Sequence, residues 1–116
     1  MKRQRAEARG RRGEVLAAWW LRLHGWRIVA QRQRIAVGEV DLIARRRGTL
    51  AFIEVKWRAK AADLDTAIDA WRLRRVAAAA AMLAPRLARA DENIRIDVML
   101  LAPWQRPRHL TNVWQP

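Results

Sequence analysis

The chain has 116 residues, 24 Lys and Arg against 11 Asp and Glu, a formal net charge of +13, and 52% hydrophobic residues. This length suits one domain, and the apolar fraction supports a real core, which excludes general disorder. Cys, Ser and Tyr are absent and His occurs only at His24 and His109, which excludes disulfide staples, thiolate metal sites, and Ser, Cys and Tyr nucleophiles.

The chemistry that remains is built on carboxylates, Lys and Arg. The cationic balance favours a polyanionic partner, with nucleic acid ahead of an anionic membrane surface. The basic start, MKRQRAEARGRR, leads into no secretory apolar segment. The apolar stretch that follows is far shorter than the ~20 residues a bilayer needs. A soluble cytoplasmic protein with no membrane association is expected. Residues 1–12 read as a basic arm, either a frayed tail or a phosphate-contacting extension, and residues 13–116 as a single domain.

In chain order, the spacing predicts a first helix over residues 13–24, closed by Gly25. Leu16, Trp19, Trp20 and Leu23 follow the spacing of a buried stripe. Glu14 lies opposite them with Ala18 and Leu21. Because both sides are apolar, the wheel does not decide which face meets a sheet. Alternating segments then predict strands over 26–34, 38–45 and 50–57, the last two joined by a tight turn at Arg47–Gly48. A second helix should start at Asp63 or Asp65 and run to Leu83, with Leu64, Ile68 and Trp71 opening its apolar face and Pro85 ending or kinking it. Residues 93–101 (NIRIDVMLL) read as a fourth strand and 109–114 as a short fifth. The order is therefore αβββαβ, an α/β fold without internal repeats. The seven Trp residues read mainly as core bulk, with base stacking open to Trp57 and Trp104.

Acidic residues are scarce, so their places carry weight. Period-two geometry puts Glu39 and Asp41 on one face of their strand and Val40 and Leu42 on the other. In FIEVKW, Glu54 and Lys56 share a face. A two-residue turn at Arg47–Gly48 sets Asp41 opposite Glu54, Glu39 opposite Lys56, Val40 opposite Val55 and Leu42 opposite Ile53. Two carboxylates facing each other across a strand pair repel, and a divalent cation with oxygen ligands, Mg²⁺ or Mn²⁺, would compensate them. Lys56 is placed to orient an attacking water or to offset charge on a phosphate. The alternative reading is an ordinary solvated face, with Glu39 and Lys56 as a surface ion pair. Asp97 reads as a strand-face acid paired with Arg; Asp63, Asp65 and Asp69 read as helix-capping or solvated positions.

Gly13–Glu14 on the first helix, GEVDLIA at 38–44, FIEVKWR at 52–58, IRIDV at 94–98 and PRHL at 107–110, in this order, resemble the YraN-like family of small bacterial proteins. That family is similar in turn to the PD-(D/E)XK nucleases, including archaeal Holliday-junction resolvases, whose restriction-endonuclease-like αβββαβ core has a mixed central sheet flanked by helices. The resemblance implies a metal-dependent DNA endonuclease, with branched or junction DNA among its substrates and a homodimer among its assembly states. By it, Glu14 takes the first-helix acid role, Asp41 is a metal ligand, Glu54 and Lys56 form the E-x-K pair, and Glu39 is an added ligand or a partner for Lys56. Arg72, Arg74 and Arg75 on the second helix are candidates for phosphate contacts, although a solvated basic face explains them as well. Competing with catalysis are a nucleic-acid-binding protein that keeps this fold without turnover and a basic RNA-binding protein.

Overall fold

The computed structural model describes residues 2–66 and 69–114, with side chains described for 11–63 and 69–114. A five-stranded mixed sheet in the order β1-β2-β3-β4-β5 separates two helices. The elements are α1 (Lys2–Leu23), β1 (Arg27–Ile35), β2 (Gly38–Arg46), β3 (Thr49–Trp57), a 3₁₀ turn (Ala61–Thr66), α2 (Ala70–Leu87), β4 (Asn93–Leu101) and β5 (Arg108–Leu110). Among the described residues only β3 and β4 pair in parallel, and α2 makes the crossover between them. In β3, Leu50, Ala51, Phe52 and Ile53 are all buried, as expected of a strand covered on both faces.

Each helix buries one side of the sheet. Leu73, Val76, Ala79, Ala80 and Leu83 of α2 pack with Val40, Ile43, Leu50, Phe52, Ile96, Val98 and Leu100. On the reverse side, Ala17, Ala18 and Leu21 of α1 pack with Leu42, Ala44, Ala51, Ile53, Met99 and Leu101. Leu16, Trp19 and Leu23 therefore do not form a buried stripe: they are more than half exposed. The face carrying Gly13, Glu14, Ala17 and Ala18 meets the sheet because its small side chains let the helix sit close. A Cβ on Gly13 would already touch Trp57 Cβ at 3.4 Å.

Helix α1 begins at Lys2, so the expected arm continues the helix; its Arg, Ala, Glu and Gln residues are good helix formers. The helix closes as predicted. Gly25 has φ +87°, its N–H donates to Arg22 and Trp26 N–H donates to Leu21, the two bonds of a Schellman cap. The second helix starts later than predicted, at Ala70, because Asp69 is the residue that caps it, accepting from Trp71 N–H at 2.8 Å. Asp63 lies in the 3₁₀ turn instead. Trp71, one residue into the helix, is consequently exposed. Ile68 and the Leu64 and Asp65 side chains lie outside the described residues. Pro85 is carried inside the last turn without ending the helix, and Ala88 N–H donates to Ala84 in closing it.

The β2–β3 hairpin has the predicted turn. Arg47 and Gly48 both take positive φ, as a type I′ turn requires, and Arg46 pairs with Thr49, Ile43 with Phe52 and Leu42 with Ile53. Beyond Leu42 the strands part, and β2 changes face. A Cβ on Gly38 would meet the carbonyl oxygen of Arg75 at 1.9 Å, so Gly38 faces α2, and Val40 packs on the same side. Leu42 instead faces α1. The alternation that would put Val40 and Leu42 together is thus broken at Asp41.

Candidate active site

The break at Asp41 builds the site. Where the ladder opens, Asp41 Oδ2 replaces a backbone acceptor and takes the Val55 N–H at 2.7 Å. This carboxylate is thereby pinned between β2 and the stretch of β3 that carries Glu54 and Lys56. Glu54 is buried, at 2% exposure. Its Oε1 lies 3.3 Å from Lys56 Nζ and 3.2 Å from Arg72 NH2, which reaches over from the first turn of α2. Glu14 completes the group from α1; it is also buried and is held by Arg32 of β1 at 3.3 Å.

The electrostatics follow from this crowding. Burial pushes the Asp41 carboxyl up from 3.8 to about 6, against the pull of the Val55 N–H; the Glu14 charge and a hydrogen bond with it push the same way, and Arg72 opposes. Glu54 is also raised, first by burial and then by the charge of Asp41, with Lys56 and Arg72 opposing. Two carboxyl groups that resist ionisation beside each other, with a lysine in contact, form a cluster of high local free energy. Arg72 Nε is buried without a hydrogen-bond partner among the described residues, leaving one donor of that guanidinium unused.

Four of the residues singled out from the sequence, Glu14, Asp41, Glu54 and Lys56, are brought together, and Arg72 joins them. Glu39 is not part of the group in the way the pairing predicts. It meets Arg34 at 3.9 Å and Arg75 at 3.5 Å rather than Lys56. The cause is the strand parting above Leu42, which removes the cross-strand position opposite Lys56. Arg75 is accordingly an ion-pair partner of Glu39 and lies over the Trp71 ring at 5.4 Å, while Arg74 is exposed. Among the described residues, no three His, Asp or Glu side chains already converge on one ion position: Glu54 is turned to its two cations and Asp41 to the Val55 N–H.

The donor set nonetheless suits a hard divalent cation, since Asp41, Glu54 and Glu14 offer only oxygen, and burial opposes the charge on Asp41 and Glu54. Asp41 and Glu54 are the residues that would hold it.

A second polar cluster bears out the expected pairing of Asp97 with an arginine and extends it. Asp97 is completely buried on β4 and accepts four bonds: from Arg95 Nε and NH2 at 2.9 Å each, from His109 Nε2 at 2.7 Å and from Asn112 N–H at 2.9 Å. Burial alone would raise this carboxyl, but the bonds from His109, Arg95 and Asn112 hold it below its ordinary value. The Arg95 pairing follows from period-two spacing; the His109 contact joins residues twelve apart across a loop and leaves no local signal. The cluster ties β5 and the following turn to β4.

Comparison with known proteins places the chain among relatives that share most or all of its length. The model of the uncharacterised protein family UPF0102 matches residues 13–101, the span that holds the entire acidic cluster. A UPF0102 protein of Sphingopyxis alaskensis is 74% identical over 116 residues, covering all of both chains. One of Rhizorhabdus wittichii is 66% identical over 113 residues, covering 97% of this chain and 96% of its own, and one of Erythrobacter litoralis is 57% identical over the full length of both. The chain belongs to the UPF0102 family.

Proposed function

We propose that this protein is a divalent-metal-dependent endonuclease of the PD-(D/E)XK kind, hydrolysing phosphodiester bonds in DNA, with branched DNA its natural target. The observation that carries the reading is Asp41: a half-buried carboxyl raised to about 6 where two strands part, beside Glu14 and Glu54, with Lys56 in contact with Glu54. Natural sequences keep such unfavourable groupings chiefly where they serve chemistry.

Asp41 and Glu54 would hold Mg²⁺ or Mn²⁺, with Glu14 behind Asp41. The ion, when bound, supplies a Lewis acid and lowers the pKa of a coordinated water. Glu54 holds the Lys56 ammonium on the same strand face, where it orients the attacking water and stabilises charge developing on the phosphoryl oxygens. The Arg72 side chain, 38% exposed, would offer its outer guanidinium donors to a phosphate oxygen. In the reaction the water oxygen bonds to phosphorus as it gives up a proton to solvent, the ester bond to the leaving strand breaks, and the leaving oxygen takes up a proton from solvent.

A second reading, a DNA-binding protein that retains this fold without turnover, is favoured by one observation: Lys56 and Arg72 already neutralise Glu54 without any ion. Cleavage assays on four-way junction, flap and linear duplex DNA with Mg²⁺ decide between them. The nuclease reading expects cleavage that Asp41→Asn, Glu54→Gln and Lys56→Met each reduce by at least about 100-fold. Unchanged DNA affinity with no metal-dependent cleavage on any substrate leaves the binding protein. Junction cleaved and bound no better than duplex at equal salt removes the branched target.

A further inference from the structure

The outward face of α1 is the one that the sheet did not take, and it is unusually apolar for a surface. Val15, Leu16, Trp19 and Leu23 are all more than half exposed. Leu16, Trp19 and Leu23, with Trp57, Leu101 and the turn after β4, border a groove of about 430 Å³ whose lining among the described residues contains no charged side chain, and Val15 borders the adjoining depression. Such a patch on a chain of net charge +13 marks an interaction site rather than ordinary surface. At its lip stands Trp104, fully exposed, with φ +63°. A bulky residue in left-handed backbone conformation is strained, and here the strain holds an indole out in solvent.

The rim is cationic. Arg11 and Arg12 border the adjoining depression beside Leu16, Arg22 lies 5.1 Å from the Trp19 ring centre, Arg58 donates to the Trp57 carbonyl, and Arg106 follows in the Trp104 turn. An aromatic floor inside an arginine rim complements a ligand with flat apolar faces and a polyanionic edge. A second copy of the chain fits poorly, because it would press two such rims together. The groove lies on the α1 side of the sheet, the side from which Glu14 joins the acidic cluster: Trp57 packs against Gly13, the neighbour of Glu14, whereas Glu54 and Lys56 project from the other face of β3 toward Arg72.

We propose that this groove binds the unpaired bases of single-stranded DNA, which stack on Trp19, Trp57 and Trp104 while their phosphates follow the arginine rim toward Glu14, on the α1 side of the acidic cluster. The polar groups among the groove-lining residues described are the Gln105 amide and the indole N–H groups of the Trp residues. The inference rests on the nuclease reading for the direction in which the strand leads, but stacking is a binding property and is measured without turnover.

The test is equilibrium binding of a short oligothymidylate and of blunt duplex DNA to the full chain in EDTA at fixed salt, read by anisotropy and by intrinsic Trp fluorescence. Expected are quenching by the single strand, a single-strand affinity that falls roughly tenfold in Trp104→Ala and in Trp19→Ala, and recovery in Trp104→Phe, as base stacking requires. Duplex affinity should stay unchanged in all three variants. Loss of cleavage with this pattern intact sinks the nuclease reading and leaves the groove assignment standing. Equal single-strand affinity in wild type and both Ala variants overturns it. So does sedimentation of the wild type as a dimer that Trp104→Ala dissociates, which makes the groove an interface between copies.

Discussion

Replacing Asp41 by Asn should stabilise the metal-free protein, and the size of the gain can be worked out. A carboxyl raised from 3.8 to about 6 on folding favours the folded state fully below 3.8 and loses that contribution as pH rises through 6. At 1.36 kcal/mol for each tenfold change in proton affinity, ionised Asp41 costs about 3 kcal/mol at pH 8, and partial solvent access trims this to about 2–3 kcal/mol. Asn keeps the acceptor for the Val55 N–H and adds an amide donor toward Glu14, so the geometry survives without the charge. Urea unfolding at pH 8 in EDTA should therefore show Asp41→Asn about 2–3 kcal/mol more stable, roughly 10 °C in Tm for a domain of this size. Below pH 3.8, where Asp41 is protonated in the folded and the unfolded state alike, the two proteins should converge. A variant that is less stable at pH 8, or equally stabilised at both pH values, refutes the account of a cluster held together against its own charge.

Mn²⁺ affinity measured by calorimetry should drop by about tenfold per pH unit below 6, with a proton released on binding, because the ion displaces the proton on Asp41; a pH-independent affinity contradicts this. Lys56→Met should leave Mn²⁺ binding in place while abolishing cleavage, separating a charge-stabilising role from a ligand role. Asp97→Asn should cost about 3–5 kcal/mol at pH 7 by stranding Arg95 and His109, and the deficit should shrink as pH falls below 3.8, since a lowered carboxyl contributes its stability above that value. Gly38→Ala should destabilise by about 3 kcal/mol, because its Cβ would strike the Arg75 carbonyl in the helix backbone rather than a side chain that can turn away.

Much of the site was legible because it depends on a local device. A two-residue turn at Arg47–Gly48 fixes the hairpin register, and register brings β2 and β3 together in the correct alignment up to Leu42–Ile53. Gly25 marked the end of α1 for a similarly local reason. What the sequence withheld depends on packing. Both faces of α1 are apolar, and only the close approach allowed at Gly13, Ala17 and Ala18 turns Glu14 inward. The face change at Asp41 breaks a periodicity that any pattern reading must assume. The pairing of Glu39 with Arg75 depends on α2 lying against Gly38, and that of Asp97 with His109 on a loop closing after β4. The same packing choice left four large apolar side chains of α1 in solvent, which is how the groove arose. Among the described residues no helix is long and apolar enough to cross a membrane.

The most direct measurement is anomalous diffraction from a crystal soaked in Mn²⁺ at pH 8. The account predicts one strong peak within coordination distance of both Asp41 and Glu54, absent from Asp41→Asn crystals soaked in the same way. A map with no peak between those carboxylates, or with ions only on the exposed surface, would contradict it.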